Sequence, residues 1–84
     1  MIYFTITSYA KNYGGIIVPT GAVAVEKGTS LTYYIYPNDG KCIKNVNVDA
    51  INLGAISSYT FTDVTANHKI YVTFGTLNKR GVCR

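Results

Sequence analysis

The chain has 84 residues and a net charge of +4, and 48% of its residues are hydrophobic while only 14% are charged. A disordered tail would carry more charge and fewer aromatic residues, so this composition indicates one small folded domain. No apolar run approaches the roughly 18–20 residues that cross a membrane, and the first residues alternate with threonine, unlike a signal peptide.

The first half of the sequence alternates apolar with polar residues, which is the period of a half-buried strand. Ile2, Phe4 and Ile6 share one predicted face of the first strand. A glycine pair at positions 14 and 15 follows, then a short apolar run over 16–18 and a turn over 19–21. Alternation resumes in a strand that contains Val23 and Val25 and ends before a turn at 26–28.

The second half continues the same pattern. Leu31, Tyr33 and Ile35 lie on one predicted strand face, and a turn follows over 37–40. The phase then slips, and we expect a β-bulge near Lys44–Asn45 that returns Ile43, Val46 and Val48 to the core. A tight hairpin is predicted within 49–54, a loop or single helical turn over 62–67, and a last strand whose inward residues are Ile70, Val72 and Phe74.

These elements predict an all-β domain of six to seven short strands, arranged as a small antiparallel sheet or sandwich. We expect residues 1–75 to form the domain and residues 76–84 to form a polar tail or linker. The expected core comprises Ile2, Phe4, Ile6, Leu31, Ile35, Val46, Val48, Phe61, Ile70, Val72 and Phe74.

The inventory of reactive side chains is too sparse for catalysis, which needs convergent groups. The four acids, Glu26, Asp39, Asp49 and Asp63, all lie in or beside predicted turns, and no spacing supports a calcium site. His68 stands alone at the start of the last strand, where bonding to the turn backbone is its simplest role. We therefore expect no enzyme, no cofactor and no metal site.

Two cysteines, Cys42 and Cys83, leave two alternatives open. They form one intrachain bridge, which would restrict the unfolded chain, or they remain free thiols. The position of Cys83, next to the last residue of a polar stretch where fraying is usual, favours free thiols.

The eight cations are scattered through turns and strand ends, and only Lys79, Arg80 and Arg84 form a cluster. A nucleic-acid-binding protein usually gathers its cations on one stripe, so this distribution favours an ordinary soluble surface.

Tyrosine is the unusual feature, with eight residues and no tryptophan. Five tyrosines fall on the phase opposite the aliphatic core, interleaved with threonines: Tyr3, Tyr9, Tyr34, Tyr36 and Tyr71. A tyrosine ring combines apolar area with a hydroxyl, which suits contact with protein or sugar. The alternative is that tyrosine and threonine, both strong strand formers, only cover a solvated face.

The spacing of several short motifs resembles the divergent internalin-B-type B-repeat, a bacterial repeat module of secreted and surface proteins. The matching elements include 5–7, Gly14–Gly15, 19–21, 37–40, 46–49 and above all the run 59–70 that closes at Phe74. The sequence departs from the family at Lys41, where an aromatic residue is usual, and at Ala50, where glycine is usual. Because alanine resists positive φ, we expect the hairpin at Ala50 to shift or lengthen.

The resemblance implies a β-grasp-like, non-catalytic module that spaces and displays neighbouring domains, with weak contacts to neighbouring repeats, surface proteins or glycans. It also implies an extracellular or cell-surface location. Two other functions remain as alternatives: a small basic β-barrel that binds single-stranded nucleic acid through its tyrosines, and a secreted effector or inhibitor stapled by a Cys42–Cys83 bridge.

Overall fold

The computed structural model describes all 84 residues, and it contains eight β-strands and no helix. The strands are β1 (Tyr3–Ala10), β2 (Gly15–Val18), β3 (Gly21–Glu26), β4 (Leu31–Pro37), β5 (Lys41–Val48), β6 (Ile51–Asn52), β7 (Ser58–Phe61) and β8 (His68–Thr76). The all-β prediction is confirmed, with eight strands instead of six or seven. The chain forms no long apolar helix of the kind that crosses a membrane.

The strands form two sheets. Sheet A has the order β3-β1-β8-β5-β6, and sheet B has the order β2-β4-β7. All pairs are antiparallel except β1 and β8, which run parallel over five residue pairs from Ile6↔His68 to Ala10↔Val72. Parallel pairing of the first and last strands differs from the expected wholly antiparallel sheet. It makes β1 and β8 adjacent inner strands of the larger sheet.

The core lies between the two sheets, because its members alternate along strands of both. Twelve hydrophobic residues are buried: Ile6, Ile17, Val25, Tyr33, Ile35, Val46, Val48, Phe61, Val64, Ile70, Val72 and Phe74. Phe4 and Leu31 are partly buried against this cluster, as is Ile43. Ile2, which was expected in the core, is 56% exposed because it precedes β1. Val64, in the loop before β8, was not predicted and is 1% exposed.

The predicted bulge is confirmed, since the β5–β8 register shifts between Ile43 and Asn45. The tight hairpin predicted within 49–54 is confirmed, but the expected shift or lengthening at Ala50 was wrong. Val48 pairs directly with Ile51, so Asp49 and Ala50 alone make the turn, with φ of 50° and 68°. Two successive positive φ angles define a two-residue type I′ turn, which Ala50 enters at a steric cost instead of lengthening the loop.

Residues 76–84, expected to form a polar tail or linker, fold back as a short hairpin. Leu77 and Cys83 form a β-bridge, and Thr76 and Arg84 exchange two backbone hydrogen bonds of 2.7 and 3.0 Å. Gly75 is buried beneath this hairpin, and a Cβ there would lie only 2.5 Å from Arg84 O and 2.9 Å from Cys83 Sγ. The end of the chain is therefore part of the folded unit.

Candidate functional site: tyrosine surfaces and the terminal strands

The five candidate tyrosines do not form one surface. Tyr9 and Tyr71 lie on the outer face of sheet A, whereas Tyr34 and Tyr36 lie on β4 in sheet B. Tyr3 stands apart near the start of β1, where its hydroxyl contacts only Met1 Sδ at 3.5 Å. Alternation along each strand placed all five correctly on outward faces, but it could not tell which sheet each strand joins.

On sheet A, Tyr9 and Tyr71 are register partners, and their rings stack with centroids 5.2 Å apart and planes within 13°. A lysine near each tyrosine in sequence lies over the tyrosine ring of the other strand: Lys69 Nζ is 5.4 Å from the centroid of the Tyr9 ring, and Lys11 Nζ is 5.5 Å from the centroid of the Tyr71 ring. The cationic ammonium groups are attracted to the aromatic quadrupoles at these distances. The four side chains make a compact, positively charged cluster, which we call the Lys–Tyr cluster.

On sheet B, the outer face is exposed, with large apolar side chains where β2 pairs with β4 and hydroxyl side chains on the β7 side. Ile16 pairs with Tyr36 and Val18 pairs with Tyr34, and each of these side chains is between 43% and 55% exposed. No charged residue occurs in any of the three strands of this sheet. We call these four residues the sheet B patch. The sequence pattern contained a signal for Ile16 and Val18, because alternation around buried Ile17 turns both of them outward.

Cys42 and Cys83 are joined in a disulfide, with Cα atoms 5.9 Å apart and a sequence separation of 41. The structure thus decides between the two alternatives in favour of the bridge. The bond connects the C-terminal hairpin to the start of β5, the strand with which β8 pairs.

His68 is not alone, contrary to its expected role in bonding to the turn backbone. Its Nδ1 contacts Asp49 Oδ2 at 2.5 Å, and Asp49 Oδ1 accepts a 2.9 Å hydrogen bond from the Lys69 N–H. The Asp49 carboxylate therefore ties the β5–β6 turn to the start of β8. No group of three or more His, Cys, Asp or Glu side chains lies together in a way that could hold a metal ion.

A shallow cavity of about 390 Å³ lies next to the Lys–Tyr cluster, lined by Ala10, Lys11, Asn12, Tyr13 and Gly15. The Asn12 side chain is held in place, since its amide exchanges two hydrogen bonds with the backbone of Phe74. The cavity contains no acid and no nucleophile that could work with Lys11.

Tyr33 is the one tyrosine in the core, and its hydroxyl has no hydrogen-bond partner. The nearby Ser8 hydroxyl donates to the Pro19 carbonyl at 2.6 Å. Burial raises the pKa of Tyr33 above its ordinary value of 10.0, and the neighbouring Ser8 opposes this increase only in part. The group is a structural residue of the core, remote from both outer faces.

Together these features define a small, disulfide-bonded, all-β domain whose outer faces differ in charge. No protein-family model, no curated protein and no solved structure matches the chain.

Proposed function

We propose that the chain is a non-catalytic structural and binding module of a bacterial secreted or cell-surface protein, and that it spaces and displays neighbouring domains. The resemblance of its motifs to the B-repeat supports this proposal, and so does the disulfide, because such bonds persist mainly in oxidising compartments. The observation that carries it is the parallel, directly hydrogen-bonded pairing of the first and last strands.

Parallel terminal strands resist a pull on the two ends of the domain. Tension drawn from the start of β1 and from the end of β8 slides the two strands along each other. Their hydrogen bonds are then loaded together instead of opening one after another. Lys11 N–H donates to Val72 O at 2.8 Å and lengthens the ladder beyond Ala10. At the other end, the Thr5 N–H donates to Asn67 Oδ1 at 2.7 Å.

The disulfide changes how far the domain can extend. A pull at the C-terminus passes through Cys83 to Cys42 and on to β5, which pairs with β8 along its length. The chain segment between the two cysteines, whose sequence separation is 41, is closed into a loop by the bond and cannot extend even after the sheet opens. At up to about 3.6 Å per residue, this removes about 150 Å of extension.

Single-molecule stretching of the domain between inert flanking domains tests the proposal. Under oxidising conditions we expect a distinct force peak, followed by an extension about 150 Å shorter than that of the Cys42→Ser/Cys83→Ser variant. Unfolding of both proteins without a resolved force peak would contradict a mechanical role.

The sheet B patch is the contact surface that fits this role, because contiguous exposed apolar side chains without charge are typical of an interaction site. Its contacts would be with a neighbouring domain or a glycan, and the Tyr34→Ser/Tyr36→Ser variant tests them. The control is Tyr9→Ser/Tyr71→Ser on the opposite face. In a glycan microarray and in a tandem of two copies, we expect only the Tyr34/Tyr36 variant to lose binding or domain–domain coupling. Equal behaviour of the two variants would remove the patch from the proposal.

The Lys–Tyr cluster favours a second candidate function, binding of single-stranded nucleic acid through phosphate contacts and aromatic rings. The two rings stack on each other and the lysines lie over them, so stacking of a base would require this cluster to open. A labelled single-stranded oligonucleotide at low salt tests this candidate by fluorescence anisotropy. Binding that falls steeply with salt and is lost in Lys11→Gln/Lys69→Gln would support it, and no binding at low salt would dismiss it.

A further inference from the structure

Strand β3 forms one edge of sheet A and is the longest edge strand of the domain. It has six residues, whereas the opposite edge of the sheet, β6, has two, and the edges of sheet B, β2 and β7, have four each. Its register with β1 is continuous from Ser8↔Gly21 to Tyr3↔Glu26, with no bulge. A row of unpaired backbone groups therefore lies along this side of the molecule.

The direction of each backbone group follows from the antiparallel pairing. Lys27 N–H donates to Ile2 O at 2.8 Å, which fixes this pair as hydrogen-bonded. In an antiparallel pair, the backbone N–H and C=O groups of every second residue point to the partner strand. The backbone groups of Val25, Val23 and Gly21 therefore point to β1. The N–H and C=O groups of Ala22, Ala24 and Glu26 consequently point away from the sheet. Glu26 O already accepts bonds from Thr29, so its N–H is the free group there.

Most of the usual protections of an edge strand are missing from β3. Natural edges are protected by charged side chains, especially lysine, by proline, by a bulge or by a very short strand, and β3 has only the charge of Glu26 at its last residue. The outward side chains at Ala22 and Ala24 are only methyl groups, which allow another backbone to approach closely. None of the eight cations that give the chain its net charge lies within this segment.

We propose that β3 pairs with β3 of a second copy of this chain, antiparallel about a two-fold axis through Ala24. This register places Ala24 opposite its counterpart and Ala22 opposite Glu26 of the other copy, so that all three outward residues of each strand are used. The two Ala24 residues exchange two hydrogen bonds, and each Glu26 N–H donates to Ala22 O. The five-stranded sheets A of the two copies then join into one ten-stranded sheet.

A second copy fits this edge because the free groups are complementary to themselves. The only charge in the paired segment, that of Glu26, lies opposite Ala22 and away from Glu26 of the other copy. A single strand pair buries less surface than the roughly 1,200 Å² that a stable interface buries. The dimer is therefore weak, and it forms at high concentration or when copies are held together. This pairing does not depend on the proposed spacing function, since it uses neither terminal strand pairing nor the sheet B patch.

Cysteine cross-linking tests the register with a matched pair of variants. In the proposed dimer the two Ala24 Cα atoms lie about 5.5 Å apart, which suits a disulfide, whereas the two Ala22 Cα atoms lie about 14 Å apart. Under mild oxidation, Ala24→Cys should give a covalent dimer in good yield and Ala22→Cys at least tenfold less. Equal yields from the two variants, or none from either, would overturn the register.

Sedimentation of the unmodified chain at increasing concentration tests the association itself. We expect a monomer–dimer equilibrium that Ala24→Pro abolishes, because the N–H removed there is not used within the fold. If proline disturbs folding, Ala24→Lys places a charge on the edge and should have the same effect. A chain that stays monomeric at about millimolar concentration, or a dimer unchanged in a folded edge variant, would overturn the proposal.

Discussion

The side-chain amide of Asn12 pairs with the backbone of Phe74 in the manner of a strand residue. Asn12 Nδ2 donates to Phe74 O at 2.7 Å, and Phe74 N–H donates to Asn12 Oδ1 at 2.8 Å. Asn67 has a similar role at the opposite end of the ladder, where its Oδ1 accepts from Thr5 N–H. The parallel β1–β8 pair is thus extended at both ends by asparagine side chains.

Replacement of Asn12 by alanine should weaken this pair. The change removes two hydrogen bonds and leaves the N–H and C=O of Phe74 without these partners, so we expect the free energy of unfolding to fall by about 1–2 kcal/mol. Urea denaturation measures the loss. The control is Asn38→Ala, whose exposed side chain makes no hydrogen bond, and equal losses in the two variants would contradict the role of Asn12.

Replacement of Ala50 by glycine should stabilise the domain. Ala50 has a φ of 68° in a two-residue turn, a conformation that costs a non-glycine residue about 1–2 kcal/mol. Glycine removes this cost and creates the Asp-Gly sequence preferred in type I′ turns, with a net gain of about 0.5–1 kcal/mol after its own entropy loss. Thermal unfolding compares it with Ala55→Gly, at an exposed residue without positive φ. A gain in both variants, or in neither, would show that the turn is not strained.

Tyr33→Phe should change how stability depends on alkaline pH. Burial raises the pKa of the Tyr33 hydroxyl above 10.0, so the unfolded chain releases this proton at lower pH than the folded domain does. The stability from the neutral hydroxyl is complete below about pH 10 and is lost as the pH rises through the folded-state pKa.

We therefore expect the free energy of unfolding to fall less between about pH 9 and pH 11 in Tyr33→Phe than in the original chain. At neutral pH it should be more stable by about 1 kcal/mol, because it removes a buried hydroxyl without a partner. Urea denaturation at each pH measures both effects, and Tyr36→Phe, which keeps Tyr33, should follow the original pH profile. A Tyr33→Phe profile parallel to that of the original chain would contradict the assignment.

Loss of the disulfide should destabilise the domain without changing its topology. A bridge across 41 residues restricts the unfolded chain by about 3–4 kcal/mol, so Cys42→Ser/Cys83→Ser should lower the free energy of unfolding by a similar amount. Hydrogen exchange should show faster opening of Thr76 and Arg84, which bond to each other in the C-terminal hairpin. Unchanged exchange there would mean that the hairpin holds without the bond.

Much of the fold is predictable from the sequence because alternation is a local property. It located the faces of most strands, and the phase slip between Ile43 and Val46 located the bulge. It did not detect Val64, whose burial depends on a loop that folds over the core. The resistance of alanine to positive φ predicts that the hairpin at Ala50 shifts or lengthens, but the pairing of Val48 with Ile51 overrides this preference.

The candidate surfaces were only half predictable, because which strands become neighbours is a long-range property. Outward phase identified Tyr9 and Tyr71 together with Tyr34 and Tyr36, yet only the sheet order separates these pairs onto different faces. Likewise, the bridge between Cys42 and Cys83 depends on β8 running beside β5, which no local pattern reveals. The parallel pairing of the termini, on which the proposed function depends, belongs to the same class.

The central claim is that the β1–β8 pair carries load along its strands, and the direction of pulling tests it most directly. The Cys42→Ser/Cys83→Ser variant is stretched once through its two termini and once through handles at residues 11 and 77, which lie beyond the same end of the two parallel strands. The first geometry shears the ladder and the second opens it bond by bond. We predict a clearly higher unfolding force through the termini, and equal forces in the two directions would contradict the account.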